Sequence, residues 1–189
     1  MNSSSDFITL SRQQFRRYFQ PSRLVLCVLP APTTSGVNVI TVSFNMYCSY
    51  KPTMMAVAIQ NINESWHLIR DAEEFVLSVP GESMAREAMI AGFRTAIDCD
   101  KVKELGLELC PSQSVKVPGL GKALANVELS KVASIETGDH SLVVGRVLRF
   151  GVNRKSKERP LLSVGPDTRG YAVLEEKGIH RIAVVKRDK

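Results

Sequence analysis

The chain has 189 residues and a mass of 20.9 kDa, enough for one hydrophobic core and too little for two. Hydrophobic residues make up 44% and charged residues 23%, which excludes a disordered chain, a collagen-like repeat and a disulfide-scaffolded miniprotein. The net charge of +6 invites nucleic acid, but the basic residues are scattered and aromatics reach only 6%, so no stacking platform is predicted. Anionic small molecules suit such a field better.

The opening residues MNSSSDFITL carry no signal pattern, and the longest apolar run, Leu24 to Leu29, stops at Pro30, far short of a membrane span. A cytoplasmic protein without membrane contact is expected. Ser11 caps a short leading helix with Phe15, Tyr18 and Phe19 at helical spacing, and Pro21 ends it. Strand-like runs follow at Leu24–Leu29, Val37–Ser43 and Met54–Ile59, then a helix over Glu64–Ala72 and a buried strand over Glu74–Pro80. Helices are predicted over Glu82–Ala91 and Lys101–Leu105. Ala123–Ile135 and Ser141–Phe150 read as two long antiparallel strands joined around Thr137-Gly138-Asp139. Ile179–Lys186 is a last strand. Strands outnumber helices and do not alternate with them, so a mainly β barrel with short helices is predicted rather than a doubly wound sheet. Residues 1–189 form a single domain, with the leading helix in 1–20 and a terminal strand and basic tail in 178–189.

Several familiar chemistries are missing. The four cysteines make no C-x-x-C, the three histidines make no H-E-x-x-H, and no metal site is predicted. Cys27 sits in an apolar run and reads as a buried thiol. Gly119-Leu120-Gly121 lacks the third glycine of a dinucleotide loop and reads as a turn. The informative stretch is Gly36 to Pro52, where Thr41, Ser43, Asn45, Tyr47 and Ser49 alternate. On one strand they share a face. That face is either solvated or a cradle for a flat, polar, anionic ligand.

The pattern G-x-N-x-x-T-x-S-x(5)-S-x-x-P over these residues, followed by an apolar strand, a helix and EFVLSVP, resembles the flavin reductase-like proteins. So do Ile90-Ala91-Gly92-Phe93, Thr137-Gly138-Asp139-His140-Ser141-Leu142-Val143-Val144-Gly145, Pro160-Leu161-Leu162 and Arg169-Gly170-Tyr171. The resemblance implies an FMN-binding split β-barrel of Greek-key-like antiparallel strands. It also implies that Asn38, Thr41, Val42, Ser43, Phe44, Asn45, Tyr47, Cys48 and Ser49 line the flavin. Ser65, at a helix start, would hold phosphate, and Gly92 would allow close backbone approach. Arg169 would bind a phosphate of flavin or pyridine nucleotide. Ile62-Asn63-Glu64 departs from the family's basic or hydroxylic residues, leaving Lys51, Arg86 or Arg94 to compensate. His140 corresponds to the histidine beside the nicotinamide, and Asp139 would orient its imidazole or cap the turn.

The function implied is hydride transfer from NADH or NADPH to FMN, with FAD as the other flavin, passing electrons to an oxygenase or to ferric iron. The alternative is a non-catalytic FMN electron carrier, flavoredoxin-like, serving a protein redox partner. A small-molecule barrel without redox chemistry is the third reading. A homodimer with flavin near the subunit boundary is also implied.

Overall fold

The computed structural model describes residues 7–16, 19–95, 99–164, 174–176 and 182–185. The leading helix α1 (Arg12–Arg16) is held at its start by a reciprocal cap. The Ser11 hydroxyl accepts the Gln14 N–H at 3.3 Å while the Gln14 carboxamide accepts the Ser11 N–H at 3.0 Å. After β1 (Ser22–Arg23) come β2 (Val25–Pro30), β3 (Val37–Val42), β4 (Asn45–Tyr50), β5 (Thr53–Gln60), α2 (Glu64–Asp71) and β6 (Glu74–Val79). A turn of 3₁₀ helix at Glu82–Met84 leads into α3 (Ala85–Phe93), followed by α4 (Lys101–Glu104) and the two-residue strands β7 (Leu109–Cys110) and β8 (Gly119–Leu120). The long hairpin β9 (Ala125–Glu136) and β10 (His140–Val152) precedes β11 (Leu161–Ser163), β12 (Leu174–Glu176) and β13 (Ile182–Val185). Gly119–Leu120, expected as a turn, is therefore a strand paired with Leu109–Cys110.

Seven strands form one antiparallel sheet in the order β3-β2-β6-β9-β10-β5-β4. Its two edge strands, β3 and β4, are consecutive in the chain and separated only by Ser43 and Phe44. The sheet must therefore roll until its edges meet at that corner. The Phe44 carbonyl accepts the Ala58 N–H at 2.9 Å, and the Asn45 carboxamide donates to the carbonyls of Val42 and Arg23 at 3.2 and 3.0 Å. A smaller sheet, β1-β11-β13-β12, flanks the barrel.

Strands β2 and β6 are buried on both faces, which explains why they read as unbroken apolar runs. One face looks into the barrel, where Cys27, Ile40, Val57, Phe75, Leu129 and Val143 pack beneath Trp66 and Ile69 of α2. The other carries Leu26, Val28, Val39 and Val76 against Met84, Ala88, Ala91 and Val102 of the helices. The Cys27 thiol is wholly buried, and burial pushes its pKa upward. Lys101 is also buried, and its ammonium donates to the carbonyls of Val39 and Ala91 at 2.9 and 3.1 Å. These bonds tie α4 to both β3 and α3.

The expected single polar face from Thr41 to Ser49 does not exist. The run crosses from one sheet edge to the other at Ser43-Phe44, and a register shift between Tyr47 and Ser49 breaks the phase again. Between Leu24 and Val152 the rest of the predicted order holds, with boundaries moved by one or two residues. Of the last predicted strand, Ile182–Val185 is a strand, while Ile179 to Arg181 and Lys186, like Tyr18 of the leading helix, lie outside the described residues. Among the described residues no helix is long and apolar enough to cross a membrane.

Candidate functional site

The corner where the sheet closes borders a cleft of about 510 Å³. It is lined by Ile40 to Phe44, by the end of β5 with Asn63, by the turn residues Asp139 and His140, and by Arg12 of α1. Two parts of the sequence singled out separately, the stretch around Thr41 and the G-D-H turn, thus meet at one opening.

His140 opens β10 and pairs in register with Gln60 of β5. Its ring lies 5.4 Å from that of Phe44, centroid to centroid, at 35°. Its Nδ1 is 2.6 Å from an Asp139 carboxylate oxygen. That hydrogen bond, more than the nearby charge of Arg12, holds the Asp139 carboxyl below its ordinary pKa. An ionised carboxylate can only accept, so it fixes a proton on Nδ1; whenever the ring carries one proton, Nε2 is its acceptor. Of the two roles expected for Asp139, the structure shows the contact with the imidazole. The turn is closed by Thr137, whose N–H and hydroxyl both donate to the His140 carbonyl at 2.8 and 2.9 Å. Gly138 has φ +88°, a left-handed conformation that side chains disfavour, so the glycine is required by the turn itself.

The structure brings Thr41, Val42, Ser43, Phe44 and His140 together at the cleft. Thr41 contributes mainly backbone, because its hydroxyl is spent on the Ala88 carbonyl of α3. Gly92, expected to approach the ligand, instead approaches Thr41, where a Cβ would stand 3.3 Å from the threonine Cβ. Asn38 and Ser65 do not reach the cleft wall. They are buried against each other, the Asn38 carboxamide donating to the Ser65 hydroxyl at 2.8 Å. Asn45 and Tyr47 line a separate apolar hollow of about 470 Å³ between β1, β6 and β9. Cys48 is exposed on β4, and Ser49 lies beyond the register shift. Of the three compensating cations, none lines the cleft; Arg94 pairs with Glu104 at 3.2 Å instead. Arg169 lies outside the described residues.

Three polar cleft residues escaped the sequence reading. Arg12 belongs to the scattered basic residues of the sequence, yet it is the one Lys or Arg among the described lining residues. Gln60 and Asn63 bracket the link between β5 and α2, and Asn63 makes no side-chain cap for that helix. Only the departure at Ile62-Asn63-Glu64 hinted that this link differs. Among the described residues no three His, Cys, Asp or Glu side chains are grouped to hold a metal ion.

An uncharacterized protein of Pyrococcus abyssi is 38% identical over 121 residues, 64% of this chain and 69% of its own length. Flavoredoxin of Desulfovibrio vulgaris (Miyazaki F) shares the fold at 22% identity, with a TM-score of 0.69 over 95% of this chain and 97% of that one. The NADH:FAD oxidoreductase of Streptomyces globisporus C-1027 is similar in fold at 15% identity, with a TM-score of 0.74 over 86% and 95% of the two chains. The architecture is thus the split barrel of flavin-binding proteins. Residues 16–184 match the flavin reductase like domain, and the chain belongs to that family.

Proposed function

We propose that the cleft binds FMN, or FAD in its place, and that the protein is an NAD(P)H-dependent flavin reductase. One observation carries the reading. The corner Ser43-Phe44 and the Asp139–His140 pair line a single cleft, side by side, in a chain whose family is that of flavin reductases. Its volume falls within the roughly 300–1,000 Å³ usual for small-molecule sites.

The donor set fits the cofactor. Phe44 and the tilted His140 ring offer flat apolar surface, and Gln60 and Asn63 offer amides. A phosphate would meet Arg12 and the uncapped first turn of α2, where N–H groups favour an anion. Glu64 in that turn opposes an anion, which makes Arg12 the needed counter-charge. Bound FMN would supply a ring that accepts hydride from a nicotinamide. The protein's part is to hold two flat rings in contact and exclude water. His140, fixed by Asp139, presents Nε2 toward a donor such as the nicotinamide carboxamide N–H.

A homodimer goes with this reading. On the outer side of the barrel, Met46, Ala56, Val144 and Ala133 stand in register across β4, β5, β10 and β9, and Ala58, Leu142 and Ile135 stand beside them. Met46 and Ile135 are each about half exposed. Such an apolar face on a monomer marks a contact surface, and Phe44 and Ala58 carry it to the rim of the cleft. The reduced flavin would pass its electrons to an oxygenase or to ferric iron.

The test is nicotinamide oxidation by the purified protein with NADH and NADPH at saturating FMN. Multiple turnover is expected. A yellow protein that ignores both nucleotides would make it an electron carrier, and a protein that binds no flavin would end the reading. For the phosphate, Arg12→Gln should weaken FMN about tenfold, a charge-assisted bond being worth ~1.5 kcal/mol or more, while riboflavin affinity stays unchanged. Equal losses for both flavins would remove Arg12 from the phosphate.

A further inference from the structure

The Asp139–His140 pair sits on a hairpin turn, and a turn's own closing bonds do not fix its place relative to the neighbouring strand β5. Thr137 closes the hairpin onto His140, and Asp139 holds the imidazole, but both contacts lie within the turn. The ladder between β10 and β5 ends at His140 and Gln60, and beyond it the turn is tied to β5 by Asn61, the first residue after that strand. Its main-chain N–H donates to the Asp139 carbonyl at 2.9 Å. Its Nδ2 donates to the Gly138 carbonyl at 3.0 Å. Its Oδ1 accepts the hydroxyl of Ser141, a fully buried residue, at 2.7 Å.

One residue therefore grips both sides of His140 without touching its ring. The side chain must donate at one end and accept at the other, at the reach of a single methylene. Asp would put a second acceptor against the Gly138 carbonyl, Ser would span neither contact, and Gln would overshoot. We propose that Asn61 is a positioning residue for His140, setting the distance and tilt of its ring across the cleft. The proposal rests on the reading of the cleft as the meeting place of flavin and nicotinamide.

The consequence is visible before any flavin is added. With the turn braced, Asp139 stays on Nδ1 and the imidazole keeps a proton there. In Asn61→Ala the turn shifts away from β5 and the Asp139–His140 contact is no longer enforced. Long-range proton–nitrogen NMR of His140 in the full chain should show the Nδ1–H form in the wild type and a mixture of both ring forms in N61A. Asn61→Asp, which of the two side-chain contacts keeps only that with Ser141, should lie between. Ser141→Ala removes only the Oδ1 arm; it should shift the ring populations in the same direction by less, and it serves as the milder variant if N61A folds poorly.

FMN affinity should stay within about twofold in N61A, while single-turnover reduction by NADH falls at least about tenfold, because small misplacements of reacting groups are costly. Unchanged His140 ring forms and an unchanged reduction rate, in a variant that merely melts earlier, would overturn the proposal. A wild type that transfers no hydride from either nucleotide would overturn the reductase reading instead. The NMR comparison would then still decide whether Asn61 positions His140.

Discussion

His140 has one ring nitrogen committed to Asp139 and the other left for a ligand, and its ring tilts against Phe44 at the cleft. His140→Ala should leave FMN affinity nearly intact and slow flavin reduction on the order of a hundredfold, as misplacement of reacting groups does. Stopped-flow reduction run beside thermal melts would show it, and a wild-type rate in a less stable variant would make the histidine a strand-start residue only. Lys101 works on stability instead. Burial lowers its pKa from 10.5 to about 8, although its ammonium has two carbonyl acceptors. Between those values the unfolded chain holds more protons than the native one, so this group makes stability rise with pH. Cys27 acts oppositely above pH 9, since the unfolded thiol ionises there while burial keeps the native one protonated. Urea titrations under reducing conditions should therefore show wild type gaining on Lys101→Met by about 1 kcal/mol at most between pH 8 and 9. A constant gap across that range would show that Lys101 is not depressed.

Among the elements, the β9–β10 turn is where backbone conformation and chemistry coincide. At Gly138 a Cβ would meet no atom within 4 Å, so Gly138→Ala would cost only the left-handed backbone, about 1–2 kcal/mol. Gly36 has a similar φ of +76° and equally open space, at the end of β3 away from the cleft. Both alanine variants should melt alike, but only Gly138→Ala should slow flavin reduction, because its turn carries Asp139 and His140. Equal rates would show that the turn's shape is irrelevant to the reaction. Elements like this hairpin were legible because their signals are local: Ser11 with Gln14, Gly138 with Asp139, continuous apolar runs for strands buried on both faces. The Ser43-Phe44 corner was not legible. Polar residues keep alternating through it, so nothing in the spacing marks where one edge strand ends and the other begins. Asn38 and Ser65 carried the right chemistry for a ligand and are bonded to one another instead. Asn61 went unseen for a related reason: an asparagine after a strand looks like any loop residue until its three partners, distant in sequence, are known.

At the scale of the whole molecule, the rolled sheet has helices and the smaller sheet around parts of its surface but leaves the outer side of β9, β10, β5 and β4 with Val132, Ile135 and Met46 about half exposed. Two copies meeting there would bury this face, and closed two-fold pairing is the commonest assembly of soluble proteins. The face runs into Phe44 and Ala58 at the cleft, so a partner seated on it would also wall the ligand. Assembly and flavin binding should then be linked, each strengthening the other. Light scattering at micromolar concentration should give twice the chain mass of 20.9 kDa, and FMN affinity should fall on dilution. Ile135→Glu places a carboxylate in the centre of that face while, in an isolated monomer, it changes only an exposed position and costs no more than about 0.5 kcal/mol. It should yield monomers that keep their melting temperature nearly unchanged at low concentration and bind FMN at least about tenfold more weakly, since half the enclosure of the ligand is lost. A variant that remains dimeric would place the contact on another face, and a monomeric variant with undiminished FMN affinity would show that each barrel holds its flavin alone.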